Sequence, residues 1–122
     1  AEAGMNLHLA VLSGTSFIHN LGYLAGGKTG SLEMLVLCDE LVGSARRLAA
    51  GLSVTEASLA VEVSERAARD NSFLTDEHTL AHMRSSLWTS GLLQRSSLQG
   101  WTSEGSPSLQ DRLRARLRET LG

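Results

Sequence analysis

The segment Gly22-Tyr-Leu-Ala-Gly-Gly-Lys-Thr29 satisfies the spacing G-x-x-x-x-G-K-[ST] at every position. In that spacing backbone amides of a glycine loop cradle phosphate oxygens, the lysine meets the outer phosphates, and the threonine hydroxyl reaches Mg²⁺. A second candidate is the pair His78 and His82, one helical turn apart with Asp76 and Glu77 beside them, a spacing that can bind a metal. It lacks the glutamate of an H-E-x-x-H zinc helix, and the expected role is a partly buried or capping one, with no metal site. Cys38 is the single cysteine and lies in an apolar run, so it is expected to pack as a small core residue rather than act as a nucleophile.

The elements that must carry these residues follow from hydrophobic spacing and cap residues. Ala3 to Leu12 is dense in apolar residues and reads as a buried helix ending at Ser13-Gly14. Thr15 to Leu21, with β-branched and aromatic residues over a short span, reads as the one plausible strand. Gly22 to Gly30 holds four glycines in nine residues and reads as a loop. Ser31 caps a long helix to about Ala50, with Glu33 in its first turn, Arg46 and Arg47 in its last, and Gly51 as its stop. Because LEMLVLCDELV is apolar nearly all round, this helix is expected to be the most buried element.

Ser53-Val-Thr-Glu56 has capping-box spacing for a third helix to about Asp70, with Leu59, Val63 and Ala67 on one stripe. Thr75-Asp-Glu77 opens a fourth to about Trp88, with Leu80, Met83, Leu87 and Trp88 facing inward. Thr89 to Gly105 reads as a polar loop anchored by Trp101. Ser106-Pro107 places a cap and a first-turn proline before a last helix with Leu109, Leu113, Leu117 and Leu121 in a four-residue repeat. The expected fold class is therefore mainly α, four or five helices with at most one short strand.

Composition narrows the function. A chain of 122 residues has room for one domain, and a formal net charge of −2 gives no overall attraction to nucleic acid or an anionic membrane. No apolar run reaches membrane-spanning length, no signal peptide is evident, and one cysteine suits a reducing compartment, so a cytoplasmic location is expected. Arg112, Arg114, Arg116 and Arg118 crowd the last helix, but Asp111 and Glu119 offset them in part; a solvated or partner-facing surface is expected there. The start at Ala1, running straight into a helical pattern, is expected of a piece of a longer chain.

The phosphate-loop reading fails on its surroundings. It needs a second strand ending in an acidic residue for Mg²⁺ and several parallel strands around the first. Met34 to Glu40, MLVLCDE, imitates that strand in letters but begins five residues after Thr29, where the loop requires its own helix. The same residues cannot be both.

Taken together, loop and helix resemble another pattern. FIHNLGYLAGGKTGSLEMLVLCDELVGSARRLAAGL (Phe17 to Leu52) is similar to the strand, glycine loop, T-x-S-x-E turn and acidic helix of the trimethylamine methyltransferase family. FLTDEHTLAHMRSSLW (Phe73 to Trp88) resembles that family's F-L-x-x-x-H-T-L-x-H-x-R-x-x-L-W stretch, and the arginine-rich last helix is similar in pattern only. The family position of Lys28 is often Leu, which makes the phosphate-loop match an accident of one residue. The resemblance implies a C-terminal segment of a (β/α)₈ TIM barrel several times longer. Residues 1–52 would be the last barrel helix, strand and closing helix, and 53–122 a C-terminal helical extension, forming one structural unit.

What the resemblance implies for function is transfer of a methyl group from trimethylamine, glycine betaine or a similar amine to a cobalt(I) corrinoid (cobalamin) on a partner protein. This chain would bind no cofactor itself. Any pyrrolysine of the trimethylamine branch would lie upstream of Ala1. If Thr15 to Leu21 is the last barrel strand, His19, Asn20 and Tyr23 lie at or beyond its C-terminal end, where such barrels place their sites. Tyr23 would offer a cation an aromatic face and His19 or Asn20 a polar contact, against the alternative of a satisfied strand histidine and a packing tyrosine. Thr29 and Glu33 mark the turn into the closing helix, as caps or at the pocket rim; Asp39 and Glu40 are expected to pair with arginines of a neighbouring helix. Two alternatives remain open at this level: a non-catalytic helical interaction module, and the disfavoured nucleotide binder. A lone barrel segment exposes surfaces, so self-association into a homo-oligomer is expected.

Overall fold

The computed structural model of the chain describes residues 2–122. Among them the architecture is mainly helical with one small hairpin, and it divides into two compact units, residues 2–49 with 90–122 and residues 50–89.

In the first unit, α1 (Glu2–Leu12) and α7 (Leu109–Leu121) both pack on α2 (Leu32–Ala49). The three helices bury Leu7, Cys38, Ala45 and Leu113, one side chain or two from each. Ala45 is fully covered. Fully burying one leucine such as Leu7 or Leu113 contributes about 1.5–3 kcal/mol. α1 is also tied to α2 by a histidine: His8 Nδ1 donates to the Gly4 carbonyl at 2.7 Å, so its Nε2 accepts from Ser44 Oγ at 3.4 Å.

The boundaries of α2 follow its punctuation. Ser31 Oγ accepts from the backbone N–H of Met34 at 3.1 Å, and Gly51 takes the left-handed conformation just past the end (φ 66°). α7 starts later than Ser106-Pro107 suggests. Its cap is Ser108, whose hydroxyl accepts from the Asp111 N–H while the Asp111 carboxylate accepts from the Ser108 N–H. The hydroxyl-to-carboxylate bond from Ser108, first, and that N–H hold the Asp111 carboxyl below the usual range. Pro107 instead offers its carbonyl to the indole N–H of Trp101 at 3.0 Å. Trp101 sits on α6 (Leu98–Ser103), a helix in the stretch expected to be loop, capped by Ser97.

Thr15 to Leu21 is not a strand. Among the described residues nothing pairs with it, and an extended run without a ladder partner leaves its backbone groups to solvent. The strands lie inside the glycine-rich stretch expected to be loop: β1 (Tyr23–Leu24) pairs antiparallel with β2 (Thr29–Gly30), Tyr23 opposite Gly30 and Leu24 opposite Thr29. A turn through Ala25–Gly27 joins them, with Gly26 at φ 66°. This geometry removes the phosphate cradle, since Thr29 belongs to a strand and Lys28 donates its backbone N–H to the Ala25 carbonyl, where a phosphate loop needs both at a helix start.

The second unit contains α3 (Glu56–Leu59), α4 (Val61–Asp70) and α5 (Glu77–Ser86). The expected single helix to Asp70 is broken at Ala60, which is left-handed (φ 48°, ψ 40°). Its capping box is Thr55 with Ser58, not Ser53 with Glu56. Asp76 caps α5, its carboxylate accepting from the His78 N–H at 2.9 Å. The face expected inward is largely outward: Leu80, Met83 and Leu87 are exposed, and Trp88 is half-buried.

Candidate functional site

The residues singled out by sequence cluster along the approach to the hairpin and the first turn of α2. Gly22 makes that junction possible. It is buried at φ 79°, and a Cβ there would sit 3.0 Å from the Leu35 Cβ and 3.1 Å from the Ser31 carbonyl oxygen. Its own carbonyl accepts from the Ser31 N–H at 2.8 Å, pinning the base of the hairpin against α2.

Outside that junction the side chains are open. His19 and Asn20 are exposed, and Asn20 adopts φ 62°, a conformation asparagine tolerates better than most residues. The His19 ring stacks on Phe17 with centroids 6.4 Å apart. Tyr23 is half exposed and Thr29 exposed. Because strand side chains alternate and Thr29 pairs with Leu24, Thr29 and Tyr23 project from opposite faces of the ribbon.

Glu33 is the one anionic group of the set. Its carboxyl is held below the usual range first by its own backbone N–H, with Arg114 and Ser31 hydrogen bonds adding to this against partial desolvation. Arg114 Nε donates to Oε1 at 3.5 Å and Ser31 Oγ to Oε2 at 3.3 Å. An ionised carboxylate attracts a cation by its charge and a phenol ring by its face, which are the properties Glu33 and Tyr23 bring singly. The structure brings Tyr23 and Thr29 onto paired strands and joins Glu33 to α7.

Sequence reasoning missed a different constellation. Glu40 takes the Ser90 hydroxyl and, at 2.9 Å, the Gly91 N–H on Oε1, in place of the expected arginine. Ser90 Oγ accepts in turn from the N–H groups of Leu92 and Leu93 at 3.1 and 2.7 Å. Arg112 donates to the Leu92 carbonyl at 3.1 Å and lies 3.6 Å from the Glu104 carboxylate. Ser90, Gly91, Leu93, Glu104 and Arg112 border an open depression, lined also by Arg95 and Pro107, that includes none of His19, Asn20, Tyr23, Thr29 and Glu33. Glu40 and Ser90 are fifty positions apart, and no local pattern marks them as partners.

His78 donates from Nε2 to the Ala57 carbonyl at 2.7 Å, and its ring lies 4.4 Å from that of His82. Cys38 is buried, as a packing residue is expected to be. Among the described residues no three His, Cys, Asp or Glu side chains gather round a common point, and no helix is long and apolar enough to cross a membrane.

Comparison with known proteins gives one consistent answer. Residues 1–122 match the family described as trimethylamine methyltransferase (MTTB). The chain is 30% identical over 104 residues to trimethylamine methyltransferase MttB of Desulfitobacterium hafniense, covering 85% of this chain and 21% of that protein. It is 32% identical over 110 residues to MttB of Methanosarcina barkeri, covering 88% and 22%, and 30% identical over 103 residues to MttB of Methanosarcina thermophila, covering 83% and 21%. The chain thus spans about a fifth of the length of the curated relatives it matches. No solved structure matches it. The family pattern runs from the first residue to the last, through the hairpin, the acidic helix α2 and the histidines of α5, and the chain belongs to the trimethylamine methyltransferase family.

Proposed function

We propose that the chain is the C-terminal part of a corrinoid-dependent methyltransferase that moves a methyl group from a tertiary or quaternary amine to a cobalt(I) corrinoid carried by a partner protein. The observation that carries this reading is the family match along the whole chain by a sequence that spans a fifth of its relatives. The corrinoid would supply the electron pair that the methyl carbon accepts, and the C–N pair would leave on a nitrogen that carries a fourth bond, quaternary or protonated, so that a neutral amine departs. The protein's task is to hold a cation and aim one methyl group. His19, Asn20, Tyr23, Thr29 and Glu33 are the residues this chain would contribute, Tyr23 by its ring face, Glu33 by its charge and the other three by polar contacts. Within the parent, residues 1–52 would close a (β/α)₈ barrel and 53–122 would extend it. Residues 15–21 would gain a ladder partner there and become a strand.

The test uses the full-length parent with its corrinoid protein in the cobalt(I) state, following cobalt methylation by absorbance with trimethylamine and with glycine betaine. Turnover of either amine is expected, and Tyr23→Ala should lower kcat/KM about tenfold, as loss of roughly 1–2 kcal/mol of cation–π attraction requires. A parent that turns over neither amine, or a Tyr23→Ala enzyme with unchanged kcat/KM, would overturn the assignment or the role of Tyr23 respectively. The isolated chain should be inactive and should self-associate, because α1 turns Met5, Leu9 and Leu12 to solvent opposite its buried Leu7. Light scattering across a concentration series checks that expectation.

A further inference from the structure

His78 and His82 have no part in the methyl-transfer reading. They face one another along α5, ring centroids 4.4 Å apart and planes 39° from parallel. His78 Nε2 lies 2.7 Å from the Ala57 carbonyl oxygen. A carbonyl can only accept, so Nε2 carries a proton, and in the neutral ring Nδ1 keeps its lone pair. Metal-binding histidines have this arrangement, one ring nitrogen donating to a carbonyl and the other turned to the ion with its tautomer fixed. His82 is exposed and one helical turn away, so its ring can reach the same ion. Asp76, the cap of α5, is engaged by Arg66 at 2.6 Å and by the His78 N–H, so the site is built on the two imidazoles.

We propose that His78 and His82 form an open site for a divalent late transition-metal ion of the Ni²⁺, Cu²⁺ and Zn²⁺ class, with water in the remaining positions. A structural zinc centre closes four positions with protein ligands, and two imidazoles do not, so the ion exchanges readily. Affinity follows ligand type and the divalent order, with Cu²⁺ bound more tightly than Ni²⁺ or Zn²⁺. Binding holds the first turns of α5 in register and leaves the Ala57 bond in place.

Calorimetric titration of the chain with Ni²⁺ and Cu²⁺ in a non-chelating buffer tests the site, with His78→Ala and His82→Ala as variants. One ion per chain is expected at the pair, weakened in either variant by at least roughly tenfold, since losing even an outer-shell partner of a metal costs about that much. His82 is exposed, so its replacement keeps the helical circular dichroism and separates loss of binding from loss of fold. Imidazole ¹⁵N spectra supply the second measurement: His78 should show the Nε2–H tautomer, and Zn²⁺ should shift its Nδ1 and the His82 ring. The proposal is overturned by unchanged affinity and stoichiometry in His82→Ala, by an Nδ1–H tautomer at His78, or by shifts confined to His8 and His19, the other two histidines of the chain.

Discussion

The two units of this chain are stabilised by different means. The first, residues 2–49 with 90–122, buries Leu7, Cys38, Ala45, Leu92 and Leu113 and ties the Glu40 carboxylate to Ser90 and Gly91. The second, residues 50–89, has Ala67 as the one buried residue among those described, and turns Leu52 and Leu74 out at 83% and 86% exposure. It is held by polar bonds instead: the Thr55–Ser58 box, the His78–Ala57 bond and the Arg66–Asp76 ion pair. Hydrophobic burial scales with area removed from water, whereas each exposed polar contact contributes little net, so the first unit should be the more stable of the two. Perturbations should rank accordingly.

The largest effect is expected in the apolar core. Leu113→Ala removes the side chain by which α7 seats on α2 and should cost about 2–5 kcal/mol, seen as a lower denaturation midpoint. Amide exchange in α3 to α5 should be nearly unaffected if the units are independent. A matching loss of protection in 50–89 would end the comparison.

Glu40→Gln comes next. The amide keeps an acceptor but loses the charge, and its NH₂ meets a Ser90 hydroxyl that already serves Leu92 and Leu93. Roughly 1–3 kcal/mol of destabilisation is expected, because hydrogen bonds to charged groups are about twice as strong as neutral ones and an unmatched polar group must be resolvated. Protection should fall first at Gly91 to Leu93. A double variant with Ser90→Ala should lose less than the sum of the two singles.

In the second unit the corresponding group is Asp76. The Arg66 hydrogen bond, first, and then the His78 N–H hold its carboxyl below the ordinary aspartate value. A group depressed in the folded state stabilises above its unfolded pKa, and that contribution is lost as pH falls through the folded one. Loosening of α5 is therefore expected below about pH 4, the ordinary aspartate range, with a smaller amplitude than Glu40→Gln produces at neutral pH. Histidine and amide spectra across pH 2–6 would show it, and Asp76→Asn should abolish the pH dependence.

The same contrast explains how much was legible beforehand. α1 and α2 are bounded by residues that act locally, Gly14, Ser31 and Gly51, and their limits agree with the expected ones to within a residue or so. The hairpin was hidden because four paired residues carry no period-two pattern, and β1 and β2 lie among glycines that read as loop. α6 was hidden because LQGWTS has a central glycine and polar neighbours; its cap is Ser97 and its anchor the Trp101–Pro107 bond. Thr15 to Leu21 has strand composition without a strand partner, and composition alone does not supply one. At the candidate site, His19, Asn20, Tyr23, Thr29 and Glu33 are proposed from resemblance, while the Arg114 contact to Glu33 and the Ser90 contact to Glu40 span 81 and 50 positions and leave no local trace.

The smallest change discriminates by its sign. Alanine is the best helix former, so a sequence with Ala60 between Leu59 and Val61 favours a continuous helix locally, yet the chain breaks there at φ 48°. Ala60 still donates its N–H to the Glu56 carbonyl and accepts from the Ser64 N–H at 2.9 Å, so it ends one helix and starts the next with both backbone groups used. A left-handed alanine costs about 1–2 kcal/mol, and glycine there relieves that strain while losing about 0.5–1 kcal/mol more backbone entropy on folding. Ala60→Gly should therefore stabilise the second unit by a few tenths of a kcal/mol to about 1 kcal/mol, read as slower amide exchange at Ser64 and its neighbours. In a continuous helix the same substitution would destabilise by about 1 kcal/mol. The polar second unit can hold such a break because little apolar surface depends on the two segments staying collinear.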